Sequence, residues 1–566
     1  MPSFAAIVER PRRWDVPFDA GMTDEVVARV LTVPPFSAMN PARFPRTVAL
    51  ADIIRNDAAL RRYRAGEIVV REGDYGTSAF LILSGQVRVV LAPGLPEAML
   101  GRRSRRRRTF WQILSQAWAN SKYPEIRRGG AASPDPRLGQ RALSDQTVRV
   151  FLQDIPRVLN EHRTVTLGAG EIFGEMAALS RMPRTATVFA ETEAELLEIR
   201  WQGFRDLMRY DEALRRHVEQ LYRERALETY LRSLPLFAKL DDRALQAVMA
   251  ATEFATFGEY DWSGEYKKLA AQGRAVNEPI IAAEGDYPNG IVLIRAGFAR
   301  VTQRFGDGER TLNYLGAGGM FGLAEVAHNW RHPDQTRPLQ FSLRALGYTH
   351  VLLVPTRVLE QVVLPAVPAS SLPALVEEPQ PVGGDGAWLD FLADNRFLNG
   401  TAAMVIDLDR CTRCDDCVRA CAATHDNNPR FLRHGPIHGR WMIANACMHC
   451  ADPVCMIGCP TGAIHRNAFG GQVVINQATC IGCQICALNC PYDAIRMVEI
   501  RDEQGRIMVD AEFKPILKAT KCDLCATQYV SPACERACPH DALVRINLNR
   551  PEPLLEWTHR HHRFAP

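Results

Sequence analysis

Every one of the 16 cysteines in this 566-residue chain lies after residue 410. A disulfide-stapled secreted protein spreads its pairs through its loops, whereas thiols crowded into one end of a large chain point to metal ligation. They also mark a boundary, because the length allows about three or four domains, each able to bury its own core. Whole-chain charge excludes little: the formal net charge is +4, which argues neither for nor against a nucleic-acid partner. The longest apolar stretches, such as 291–294 and 351–355, fall well short of the roughly 20 residues that span a bilayer, so no transmembrane segment is expected. Arg12 and Arg13 are followed by acidic and polar residues where a signal peptide needs an apolar core, and the expected location is cytoplasmic.

The cysteines form four runs. The first is Cys411, Cys414, Cys417 and Cys421; the third repeats its spacing as Cys480, Cys483, Cys486 and Cys490, followed by Pro491. The second, Cys447, Cys450, Cys455 and Cys459, and the fourth, Cys522, Cys525, Cys534 and Cys538, lengthen the middle gap but keep a three-residue step before the last cysteine. Three closely spaced thiolates in one loop can grip three corners of an iron–sulfur cube, while the cysteine beyond starts a helix and points elsewhere. In two-cluster ferredoxins that fourth cysteine ligates the other cluster, so paired runs imply two pseudo-symmetric lobes. Structural zinc fits sixteen ligands arithmetically, but its pairs normally come as separated knuckles rather than four tight runs.

These runs, with Cys447-Met-His-Cys-Ala-Asp-Pro-Val-Cys455, Cys459-Pro-Thr-Gly-Ala-Ile464 and Lys521-Cys-Asp-Leu-Cys525, resemble the four-cluster, ferredoxin-like iron–sulfur subunits of dimethyl-sulfoxide-reductase-type molybdenum enzymes over about residues 403–546. The resemblance implies four [4Fe-4S] clusters. One would be held by Cys411, Cys414, Cys417 and Cys538, and its neighbour by Cys522, Cys525, Cys534 and Cys421. In the other lobe the sets would be Cys447, Cys450, Cys455 with Cys490, and Cys480, Cys483, Cys486 with Cys459. It also implies a redox partner, with catalysis on a flavoprotein or molybdopterin-type subunit.

Ahead of the cysteines two segments repeat one another, opening with Glu72-Gly-Asp-Tyr75 and Glu284-Gly-Asp-Tyr287 and reaching Phe173-Gly174 and Phe321-Gly322. Apolar runs ending in glycine follow each opening, which points to two small β-barrels with flanking helices, one of them long and amphipathic over 201–227. Copy one contains Gly170-Glu-Ile-Phe-Gly174-Glu175-Met-Ala177, then Met182-Pro-Arg184-Thr185. It is similar to the phosphate-binding cassette of cyclic-nucleotide-binding domains, the fold of catabolite activator proteins and of the regulatory subunits of cyclic-nucleotide-dependent kinases. The resemblance implies cyclic AMP or cyclic GMP as a regulatory ligand, with Gly174, Glu175, Ala177, Arg184 and Thr185 around it. Arg184 offers a fork of donors to a buried phosphate, and Glu175 can accept from a ribose hydroxyl. An internal Glu175–Arg184 salt bridge in an empty barrel is the alternative. Copy two displaces the acid to Glu325 and has no arginine after a proline at the matching distance, so a degenerate, structural or dimerising domain is expected, with Arg331 or Arg337 the remaining cations.

The expected organisation is α+β and multidomain. It comprises an N-terminal segment (1–34), a cyclic-nucleotide-binding domain (35–230) interrupted by an insertion (93–162), a second such domain (231–365), a Pro/Gly-rich linker (366–402), a ferredoxin-like domain (403–547) and a tail (548–566) holding His559, His561 and His562. The insertion carries six arginines within 102–108, and then Phe110, Trp111, Leu114 and Trp118 on one face of a possible helix. A solvated loop, an anionic-lipid surface and a dock for an acidic redox partner all suit it. No helix-turn-helix follows either copy, so no nucleic-acid partner is expected. The functional expectation is electron transfer regulated by a cyclic nucleotide. The alternative is a signalling protein whose clusters sense oxygen or redox poise.

Overall fold

The computed structural model describes residues 6–92, 95, 100, 123–126, 150–152, 155–175, 183–258, 262–272, 274, 276, 278–306, 308–376, 386–425, 427–467, 471–525 and 531–549. The arginine-rich stretch 102–108, Phe110, Trp111, Leu114, Trp118, Ala177 and the histidines of the tail lie outside them.

Each repeat folds into two four-stranded antiparallel sheets with the same strand order. In copy one, Ala58–Tyr63, Ala194–Arg200, Ser78–Ser84 and Ile172–Phe173 face Ile68–Val70, Thr187–Ala190, Val87–Ala92 and Arg163–Leu167. Copy two repeats this with Glu253–Phe257, Thr349–Pro355, Gly290–Ala296 and Met320–Phe321 against Ile280–Ala282, Ser342–Ala345, Ala299–Phe305 and Gly308–Leu315. The sheets do not join through hydrogen bonds among the described residues, so the expected barrels are sandwiches. The apolar runs that announce the central strands have a physical cause. Phe80 and Ile82 fill the sandwich interior while Ala79 and Leu81 pack under the helices. In copy two Val292 and Ile294 point inward and Ile291 and Leu293 outward. A strand covered on both faces has no reason to alternate polar and apolar residues.

The helix expected over 201–227 is two helices. Trp201–Tyr210 stops at Asp211, whose extended backbone (φ −121°, ψ 108°) breaks the spiral. The Asp211 carboxylate then accepts a hydrogen bond from the Leu214 amide at 2.8 Å and caps Glu212–Ser233. Periodicity continues through such a break because both helices bury one face, and only the cap decides that the axis changes.

The C-terminal domain is built on the sheet Ile437–His438, Trp441–Ile443, Ala403–Asp407 and Leu543–Ile546, with two hairpin-like pairs, Ile464–Arg466 with Val473–Ile475 and Arg496–Glu499 with Leu517–Thr520. Segments from the rest of the chain close around it. The strand Ala6–Ile7 pairs with Met508–Val509, and Arg10 bonds Asp510 at 2.7 Å. From the insertion, Glu125 is buried against Arg430 at 2.8 Å. From the extra segment of copy two, the helix Trp262–Ala271 places Trp262 and Tyr266 against Val454, and Lys267 bonds Asp493 at 2.5 Å. The segment expected as a linker carries the helix Gly386–Asp394, which shares one core with Leu346 of copy two and with Val405 and Ile443. That helix is packed against both neighbours. Among the described residues no helix is long and apolar enough to cross a membrane.

Candidate functional site

The loop geometry explains how short cysteine runs converge. Within the two-residue steps, the backbone turns left-handed beside a cysteine at Arg413, Asp415, His449, Gln484 and Leu524 (φ 50–68°), and Gly482 does the same at 71°. L-residues rarely adopt this conformation, and placing it between ligands curls the loop so that successive thiols face inward. At Gly482 glycine is required twice over, since a Cβ there would lie 2.1 Å from the Leu517 carbonyl oxygen.

The thiols assemble across the runs. Cys417, on the helix Asp416–Thr424, lies beside Cys411 and Cys538, and Cys421, one turn on, lies beside Cys522, Cys525 and Cys534. Cys455 neighbours Cys447, Cys450 and Cys490, and Cys486 neighbours Cys480, Cys483 and Cys459. Cys414 sits exposed in the first loop. Burial pushes Cys417 up to about 11 and Cys486 to about 12, and neighbouring thiols add to the effect. Thiols held this way become thiolates only with a cation among them, which is the chemistry a metal cluster supplies.

Donors already point at the sulfurs. The amides of Arg430 and Ala542 donate to Cys421 and Cys538 Sγ, each at 3.2 Å. Two cations, Lys521 buried and Arg545 partly buried, stand between the lobes. Arg545 donates to Cys522 Sγ at 3.1 Å and to the Cys447 carbonyl at 3.2 Å, and Lys521 donates to the Cys522 carbonyl at 2.9 Å. His449 accepts from the Val473 amide through Nδ1 at 3.0 Å, and burial beside Lys521, Arg545 and Arg466 holds it neutral, well below the usual histidine range. Sequence reasoning did not single out Arg545 or His449, because a functional cation or imidazole carries no signature until its neighbours are placed.

In copy one, Gly174 is left-handed (φ 77°), Glu175 is buried, and Arg184 is 6% exposed. Arg184 donates to the Gly174 carbonyl at 2.6 Å and to the Ser78 carbonyl at 2.7 Å, and its guanidinium lies 5.8 Å from the Phe80 ring centroid. Burial lowers it to about 10, against the opposing fields of Glu198, Glu175 and Asp74. Thr185 is exposed. Among the described residues the Arg184 fork is held by two carbonyls, and a buried guanidinium held this way suits an anion.

Copy two supplies the contrast. In copy one the Gly73 amide donates to the Arg184 carbonyl and the Arg184 amide to the Asp74 carbonyl; in copy two Gly285, Leu339 and Asp286 make the same pair of bonds. Leu339 therefore occupies the place of Arg184, after Pro338 as Arg184 follows Pro183. Glu325 accepts from the Gln340 amide at 3.1 Å, while Arg331 and Arg337 are exposed.

The family model of the cyclic nucleotide-binding domain matches residues 155–211 and 277–364, and that of the 4Fe-4S dicluster domain matches residues 440–547. Electron transport protein HydN of Escherichia coli is 34% identical over 173 residues, covering 28% of this chain and 93% of HydN. The B subunit of the anaerobic dimethyl sulfoxide reductase of Haemophilus influenzae is 36% identical over 160 residues, covering 24% of this chain and 69% of that protein. Among solved structures, the regulatory domain of Toxoplasma gondii PKA with cAMP matches at 16% identity and TM-score 0.20, over 61% of this chain and 93% of that one.

Proposed function

We propose, from the premise that this protein belongs to the family of 4Fe-4S electron-transport proteins that includes HydN, that it carries electrons through four [4Fe-4S] clusters under the control of a cyclic nucleotide. The observation that carries the reading is the exchange of cysteines between runs. Cys421 sits with the fourth run and Cys459 with the third, which is the arrangement of two-cluster ferredoxin lobes and not of four separate zinc knuckles. Bound there, each cluster would take up and release one electron. The chain's own part is to supply sixteen thiolates, to direct amides such as those of Arg430 and Ala542 at the sulfurs, and to place Arg545 and Lys521 where they offset the negative charge between lobes. Electrons pass onward to a partner subunit carrying flavin or molybdopterin. The regulatory ligand binds in copy one alone, through Arg184 and Glu175, since Leu339 leaves copy two without the cation. Domain limits follow the expectation above, with copy two as scaffold.

Anaerobic purification followed by metal and sulfide analysis tests the electron-carrying half. About sixteen irons and as many acid-labile sulfides per chain are expected. Zinc without sulfide would end the reading.

A further inference from the structure

The nucleotide cassette and one cysteine group are joined by a short chain of contacts. Arg184 is clipped to the turn before it: its amide donates to the Asp74 carbonyl and its carbonyl accepts from the Gly73 amide, both at 2.8 Å. Tyr75 pairs with Pro183 as an antiparallel bridge. The Arg184 side chain also fills the space beside Gly76, where a Cβ would lie 2.3 Å from its Nε. From the same turn the Tyr75 ring reaches across to the cysteine domain. It packs on Gly471, where a Cβ would come within 2.5 Å of the ring, and it lies 4.8 Å from the Arg466 guanidinium. Arg466 is 7% exposed and donates to the carbonyls of Cys450 at 2.6 Å, Ala451 at 2.7 Å and Gly471 at 2.7 Å.

This contact is not a by-product of the fold. Copy two has the same turn and the same Glu-Gly-Asp-Tyr sequence, yet Tyr287 is 62% exposed. Only the copy that keeps the buried arginine lays its tyrosine on the cysteine domain.

We propose that Tyr75 couples the nucleotide cassette to the cysteine group of Cys447, Cys450, Cys455 and Cys490, by setting where the Arg466 guanidinium lies relative to it. The inference rests on Arg184 as the anion site. A cyclic phosphate must draw the Arg184 fork from the Gly174 and Ser78 carbonyls, and the turn hydrogen-bonded to the Arg184 backbone follows. Tyr75 then re-seats on Arg466 through its cation–π contact. A buried cation favours the state with one more electron, so displacing it changes the potential of that site more than of the other three. By linkage the nucleotide must bind the reduced and oxidised protein with different affinities.

The test uses the full chain, anaerobically loaded with iron and sulfide, with cyclic AMP and cyclic GMP as probes. Calorimetry measures affinity on oxidised and dithionite-reduced protein, and a potentiometric titration followed by electron paramagnetic resonance measures each site. A ratio of affinities of about threefold is expected in the wild type, equivalent to about 28 mV at one site for a one-electron couple. Tyr75→Phe keeps the ring and should keep the ratio. Tyr75→Leu should bind nucleotide within about twofold of wild type but with equal affinity in both redox states; Tyr75→Met serves the same purpose should the leucine variant load less iron. Nucleotide binding with no change at any site, or a leucine variant coupled as in wild type, overturns the coupling and leaves the anion site standing. Absence of nucleotide binding to the wild type at millimolar concentration overturns both.

Discussion

Arg184 and Leu339 occupy equivalent places in the two sandwiches, held by the same pair of backbone hydrogen bonds, and the difference between them is one buried positive charge. Replacing Arg184 by Ala removes the charge-assisted partner of the anion, a loss on the order of 2–4 kcal/mol, or roughly thirty- to a thousandfold in nucleotide affinity. Isothermal calorimetry on the folded variant checks this. The left-handed residues between the cysteines make a second prediction. Gly482→Ala forces a Cβ into the Leu517 carbonyl at φ 71°, and about four of the expected sixteen irons should be lost, with the cluster of Cys480, Cys483, Cys486 and Cys459 missing from the spectra. The cysteines were legible because their spacing is local and covalent. His449 and Arg545 were not, since their roles come from the neighbours the fold supplies.

At the scale of elements, the cysteine that ends each run lies with the thiols of another run. Cys538 lies beside Cys417, so Cys538→Ala should damage the cluster assigned to Cys411, Cys414 and Cys417 while sparing that of Cys522, Cys525 and Cys534, as read by electron paramagnetic resonance. The break at Asp211 is a second element-scale feature. Asp211→Ala removes the cap on Leu214 and should cost about 1 kcal/mol, seen as a lower midpoint in thermal unfolding. The central strands were legible as unbroken apolar runs and the repeat announced two β-domains, but their division into paired sheets rather than closed barrels was not legible. The two-helix form of 201–227 was not, because a cap residue inside an amphipathic pattern leaves its period unchanged.

Across the whole molecule, the parts that the repeat leaves over add to the contacts that Tyr75 and other residues of the repeat make with the cysteine domain. The N-terminal strand, residues 123–126 of the insertion, the helix Trp262–Ala271 and the helix Gly386–Asp394 all dock on it. Glu125 tests this arrangement: it meets Arg430 with side chains 4% and 8% exposed, and Arg430 also presents its amide to Cys421. Glu125→Ala leaves a buried guanidinium without its carboxylate and should cost about 3–5 kcal/mol, read as a fall in unfolding temperature and as faster proteolysis after the insertion. By itself the sequence determined the likeness to iron–sulfur subunits and to cyclic-nucleotide-binding domains, the α+β class, the cysteine runs and the arginine motif of copy one, because each depends on residues close together along the chain. Tertiary structure alone decided which thiols meet, that Leu339 stands where Arg184 does, that the helix Gly386–Asp394 of the expected linker is packed, and that Tyr75 rather than Tyr287 touches the cysteine domain. Those facts depend on residues that lie from tens to hundreds of positions apart along the chain, and only the packed chain sets the distances between them.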